Sequence, residues 1–162
     1  MNGKAHGAIT MGLILPAAAL GLMTSSDPAL AGLSAVGCAL GLIMDPDLDQ
    51  DSITGSEWRL LKGRWVWPLG IVWFAIWFPY AKLMPHRSFW SHFPLVGTAV
   101  RLAYLLAIIA LIASILGFYE VALDWAESVP PEVWVYLYLG LATADIGHWV
   151  ADWRFWKRLK VA

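Results

Sequence analysis

The stretch Trp65-Val66-Trp67-Pro68-Leu69-Gly70-Ile71-Val72-Trp73-Phe74-Ala75-Ile76-Trp77-Phe78 decides how this chain is organised, because hydropathy alone would make it a membrane span. Two features oppose that reading. The segment from Trp58 to Tyr80 holds Trp58, Trp65, Trp67, Trp73 and Trp77, five of the 11 tryptophans, and tryptophan concentrates at the headgroup level of a bilayer. It is also interrupted by Pro68 and Pro79, with Arg59, Lys62, Arg64 and Lys82 around it. The expectation is a Trp-rich interfacial or re-entrant helical segment over residues 58–83.

Composition explains why membrane readings arise at all. Of 162 residues, 59% are hydrophobic and 14% charged, against roughly 45–50% and 25% in soluble domains. Mean hydropathy is +0.62 and the formal net charge is −1. So little polar surface excludes a soluble enzyme, a disordered tail and a basic nucleic-acid binder. The lone Cys38 matches no zinc-ribbon or redox spacing.

Outward from the Trp-rich segment, four apolar runs qualify as spans: residues 7–23, 29–44, 93–118 and 133–153. A helix needs about 17–25 residues to cross the hydrocarbon, which makes the second run short and the third generous. Thr24-Ser25-Ser26-Asp27-Pro28 reads as a turn, Tyr119 to Glu132 as a linker, and Pro130-Pro131 as the start of the last helix. Lys4, the apolar run behind it and Ala29-Leu30-Ala31 imitate a signal peptide, but the segment reads as a retained membrane anchor. The fold class expected is an all-α membrane protein with four transmembrane helices, a single domain over residues 1–162.

Charge placement selects four spans over five. With four, Lys4, Arg59, Lys62, Arg64, Lys82, Arg87, Arg101, Arg154, Lys157, Arg158 and Lys160 fall on or near one face. The other face receives only Asp27, Glu120, Asp124, Glu127 and Glu132. Five spans would split the basic residues and violate the positive-inside tendency, so both termini are expected in the cytoplasm.

The same topology gathers the metal-ligand candidates. His6 opens the first helix, Asp47 and Asp49 follow the second, His86 and His92 precede the third, and His148 and Asp152 close the fourth. Asp145, His148 and Asp152 share a helical face, and ionisable groups near hydrocarbon mark function by default. Unpartnered carboxylates there would repel one another, a conflict divalent cations remove. Imidazole with carboxylate oxygen suits zinc, with manganese or iron as alternatives. Seven ligands exceed one tetrahedral shell, so two or more ions are expected, an arrangement suited to phosphoester hydrolysis. Taken singly each piece has a plainer reading. The Asp run could be a solvated loop, though Gln50 and Ser56 fall where an EF-hand needs Gly and Glu. Arg101 and Asp145, each roughly 10–14 Å inside its span, are expected to form a buried ion pair. Arg87, between two ligand histidines, is the phosphate candidate, and Asp45 or Asp51 the proton acceptor.

An early His, Pro46-Asp47-Leu48-Asp49, His86-Arg87-Ser88-Phe89-Trp90-Ser91-His92 and a late His148-x-x-x-Asp152 resemble a family of small uncharacterised metal-binding membrane proteins. Gly97-Thr98, Arg101, Tyr104 and the basic tail also fit it. That family looks related to predicted membrane-bound metal-dependent hydrolases, including the LexA-regulated inner-membrane type, and its His/Asp set is distantly similar to that of zinc phospholipase C. The resemblance carries over to His6, Asp47, Asp49, His86, Arg87, His92, His148 and Asp152. Asp45, Asp51 and Asp145 depart from the pattern.

The functional expectation is a metal-dependent hydrolase at the cytoplasmic face of a prokaryotic membrane, acting on a phosphoester or lipid-like substrate through metal-activated water. The rival is a non-catalytic metal-stapled subunit whose Trp-rich segment docks a partner protein. A metal carrier is disfavoured, because no polar path leads to the far side. No Ser-His-Asp elbow or Gly-rich phosphate loop is present.

Overall fold

The computed structural model describes residues 3–50 and 52–159. Among them every regular element is helical: α1 (Gly3–Ser25), α2 (Pro28–Leu40), α3 (Gly55–Leu61), α4 (Trp67–Leu83), α5 (Phe89–His92), α6 (Val96–Ile115), α7 (Tyr119–Ser128) and α8 (Pro131–Leu159), with a 3-10 turn over Pro46–Asp49. Local chemistry sets most boundaries. Asp27 caps α2, its carboxylate accepting the Ala29 N–H at 2.7 Å, and Pro28 occupies the first turn, where its missing N–H costs nothing. Thr54 and Glu57 close a reciprocal capping box on α3. Pro131 opens α8 as the sequence suggests.

Helices α1, α2 and α8 pack at backbone distance because glycines meet there. A Cβ on Gly37 would strike the Leu137 carbonyl, and one on Gly140 would strike that of Ser34. Small residues at such crossings are the usual means of bringing apolar helices together. A second core forms where Met44, Leu48, Trp77, Tyr80 and Leu141 meet, backed by Trp73, Ile76, Val100 and Tyr104. Helix α4 packs on α3, on the segment after α2 and on α6. Gly70 lies against Leu60 and Leu61, Trp73 Nε1 donates to the Ile43 carbonyl at 3.2 Å, and Tyr104 OH donates to the Ile76 carbonyl at 2.6 Å.

Three expectations need correction. By length and composition only Ala5–Ser25 and Val96–Ile115 qualify as membrane spans among the described residues, so four spans are not supported on that ground. Helix α2 has 13 residues, about 20 Å at 1.5 Å each. Helix α8 is long enough, but Glu132, Asp145, His148 and Asp152 dilute its apolar character. Second, the Trp-rich segment is neither broken by its prolines nor wholly superficial. Pro68 sits in the first turn of α4, Pro79 lies inside it, and Trp77 is fully buried while Trp65 is 86% exposed. Third, the linker from Tyr119 contains helix α7, with no buried residue.

Candidate metal centre

The N-terminal end of α1, the segment following α2, α5 with the start of α6, and the second half of α8 meet at one end of the bundle. This brings together His6, Asp47, Asp49, His86, His92, His148 and Asp152. The donor atoms form three overlapping groups, each with ligand atoms within 4.8 Å of one another: His6, Asp47 and His148; Asp49, His86 and His92; His92, His148 and Asp152.

The inner donors are buried. The His6 and His148 rings stack with centroids 3.8 Å apart, and His6 Nε2 lies 3.3 Å from Asp152 Oδ1. His148 Nε2 is 3.7 Å from Asp47 Oδ1 and 3.6 Å from Asp152 Oδ2. His92 Nε2 stands 3.8 Å from the same Asp47 oxygen. Those to His148 and His92, at 3.6–3.8 Å, are too long for hydrogen bonds, and the His6–Asp152 one is at the long end of their range. These separations resemble the spacing of two donors on one ion, which at about 2.0–2.1 Å each in tetrahedral geometry stand about 3.4 Å apart. His92 Nε2 and His148 Nε2 are also buried without a hydrogen-bond acceptor among the described residues. Buried polar nitrogens left this way are costly unless a ligand takes them. The residues present therefore fit a divalent cation.

The outer donors are tied differently. Asp49 accepts at both oxygens: His86 Nδ1 is 2.6 Å from Oδ1, and the Arg87 N–H donates to Oδ2 at 2.9 Å. Arg87 reaches that position in the left-handed region, φ 60°, uncommon for a non-glycine residue. His92 Nδ1 lies 3.2 Å from Asp49 Oδ2 and 3.0 Å from Ser91 Oγ. The His86 side chain is 40% exposed, and with Asp49 it borders a cleft of about 580 Å³.

Electrostatics follow from this crowding. Burial opposes charge on Asp47, but the facing His92, His148 and His6 rings hold its carboxyl below the ordinary range. Burial likewise opposes charge on Asp49, and hydrogen bonds from His92 and His86 overcome it. Burial disfavours imidazolium at His92, yet the facing Asp47 and Asp49 carboxylates lift it to about 9. Asp45 is different: burial, then the neighbouring Asp47 charge, push it up to about 7. It joins none of the donor groups and instead accepts from Ser56 Oγ at 3.2 Å. Asp51, the other proton-acceptor candidate, lies outside the described residues.

The expected Arg101–Asp145 pair is present. Arg101 Nη2 donates to Asp145 Oδ2, which also accepts from Thr98 Oγ1, with Arg101 fully buried. Arg101 Nη1 donates to the Ser91 carbonyl at 2.8 Å, so the pair also holds the turn that carries His92. Gly97 lets α6 close on that same carbonyl, where a Cβ would collide. Thr98 and Ser91 entered the sequence reading only as parts of the family pattern, with no role assigned to either. Their signals were available, Thr98 three residues before a buried Arg on one helix face and Ser91 inside the His-to-His motif.

Fold and donor set together define a class: an all-helical protein with a His/Asp cluster able to hold metal at one end of its bundle. The chain belongs to the family described as uncharacterized metal-binding protein (DUF2227), whose profile matches residues 1–161. No curated protein and no solved structure matches the chain.

Proposed function

We propose that the chain is a membrane-embedded metal-dependent hydrolase acting on a phosphoester or lipid-like substrate, with two or more ions, zinc first, held by the seven donors. The observation carrying this reading is the asymmetry of the cluster. His6 and His148 are buried to 3% side-chain exposure, whereas His86 of the outer group is 40% exposed and borders with Asp49 a cleft large enough for a small ligand. A site with that access suits reaction rather than structure alone. A divalent ion held by these residues would supply Lewis acidity for activating water and neutralising phosphoryl charge. Arg87, next to the cleft-lining His86, offers its guanidinium to an anionic substrate. Asp45, with a carboxyl near neutral pKa behind Asp47, is the proton acceptor in this scheme.

Four membrane crossings by α1, α2, α6 and α8 are part of the proposal, with α4 in the interface and the ligand end in the cytoplasm of a prokaryotic cell. The ligand cluster draws on the start of α1, the segment after α2, the approach to α6 and the later part of α8, an alternation that an even number of crossings explains. Leu15 and Met23 of α1 and Ile115 of α6 point outward at 79%, 82% and 74% exposure, which suits lipid as their solvent. Local bilayer thinning accommodates a short α2.

Elemental analysis of purified protein, followed by phosphatase and phospholipase assays with metal restored, tests the reading against His148→Ala. The expected result is bound metal and turnover in the parent, with both lost in the variant. Metal without turnover across these substrates would overturn catalysis and favour the metal-stapled subunit. The Trp65 side chain at 86% exposure is the observation on that side, as a docking point for a partner protein.

A further inference from the structure

At 3.6 residues per turn, Glu120, Asp124 and Glu127 of α7 form one stripe, while Val121, Ala122 and Trp125 line the other side. None of the helix is buried, and Val121 and Trp125 stand 70% and 63% exposed. We propose that the bilayer covers this apolar side: α7 is an interfacial helix at the acyl boundary of the leaflet opposite the donor cluster, its acidic stripe turned to water. This rests on the membrane crossings proposed above for α6 and α8.

Both ends of α7 are tied to the ends of those crossings. At the close of α6 the Phe118 N–H donates to the Ala113 carbonyl at 3.0 Å and the Gly117 N–H to that of Ser114 at 3.2 Å, with Gly117 at φ 77°. This paired closure around a left-handed glycine stops a helix and redirects the chain. At the other end, Trp125 meets Trp134 in the first turn of α8 edge to face, ring centroids 6.0 Å apart. A helix held between the ends of two crossings lies at headgroup height, where tryptophan concentrates. Its apolar side also continues a surface already bare on α6, through Ile112, Ile115, Leu116 and Phe118 to Val121. Whatever solvates the end of α6 therefore reaches α7. A second copy docked there would set two acidic stripes side by side, and residues 102–153 hold no Lys or Arg to answer them. Lipid brings no such conflict, because attachment through apolar area alone leaves the carboxylates in water.

The test uses the full chain in phosphatidylcholine vesicles, with Cys38→Ala removing the native thiol and one nitroxide label per sample. The labelled variants are Leu106→Cys in the middle of α6, Val121→Cys, Asp124→Cys and Trp125→Cys, each matched to the parent in metal content to show an intact donor end. Label accessibility to dissolved oxygen and to a water-soluble nickel chelate gives depth. Labels at 121 and 125 are expected about 5–10 Å into the headgroup and acyl boundary, and the label at 124 in water. Because Trp125→Cys also removes the contact with Trp134, the label at 121 decides where the two differ. Labels at 121 and 125 as open to nickel as the one at 124, with the label at 106 deep, would overturn the interfacial helix and leave the crossing of α6 standing. Closure of both positions to both reagents would mean protein covers them and would overturn it too, with dipolar broadening identifying a second copy. A label at 106 open to nickel would remove the crossing itself, and the interfacial helix with it.

Discussion

The inner and outer halves of the donor cluster are built by opposite means. His6 and His148 stand on long helices that pack through glycines, α8 on α1 at Gly147 against Leu13 and Ile9 and α8 on α2 at backbone distance, so their positions follow from helix packing. Asp49, His86 and His92 stand on a 3-10 turn, a loop and a one-turn helix, and their positions follow from hydrogen bonds to Asp49, Ser91 and, one step back, Arg101. Packing gives a rigid, sealed half; a bonded network gives a half that remains open to the cleft. Preorganisation and access are thereby divided between the two groups rather than compromised in each.

The largest expected effect separates the halves directly. His148 belongs to two of the three donor groups, so His148→Ala should remove the inner ion and weaken the outer one by about 100-fold, the upper range for disturbed support of a metal site. His86→Ala should cost the outer ion only. Metal-to-protein ratios after dialysis read both, and equal losses in the two variants would erase the distinction. Next comes Arg101→Met, which leaves Asp145 charged and buried. Denaturant unfolding should show a loss of about 3–5 kcal/mol, largely recovered in the Arg101→Met/Asp145→Leu double variant. The outer ion should be lost before the inner one, because the Ser91 carbonyl loses its anchor. Gly140→Ala attacks the other half. Its Cβ meets the Ser34 carbonyl, so α2 and α8 must separate, at about 1–3 kcal/mol and with weakened inner affinity. Thermal unfolding with metal titration checks that order.

The smallest effect is in pH. In metal-free protein the raised His92 value lends stability that is fully present below its ordinary 6.5 and fades as pH climbs through about 9. The depressed carboxyls of Asp47 and Asp49 lend stability present above 3.8 and lost as pH falls below it. Metal competes with the imidazole proton, so loaded protein should instead hold or gain stability across the alkaline window. Melting temperatures of both forms at a series of pH values would expose any failure of this contrast.

Convergence of the seven donors was legible because each sits at the end of an apolar run, and ends are what hydropathy locates best. The Arg101–Asp145 pair was legible for a related reason: two opposite charges at similar depth have few alternatives to one another. The Trp-rich segment was legible as a helix but not in its packing, because composition counts tryptophans without assigning their faces. Trp77 and Trp65 are the same residue type twelve positions apart, yet one is fully buried against Tyr80 and Tyr104 and the other lies almost bare. The α7 helix escaped notice since its polar residues resemble a loop when the apolar spacing between them is ignored. The tie between Asp45 and Ser56 crosses a loop, and nothing local to either residue announces it.

The stacking of His6 on His148 has a consequence for how the molecule comes into being. One ring belongs to α1 and the other to α8, with all the other described helices between them in the chain. A ribosome must deliver both before any inner coordination shell can exist. Inner ion capture thus waits for α8, and a nascent chain stalled before it has no stacked imidazole pair to offer.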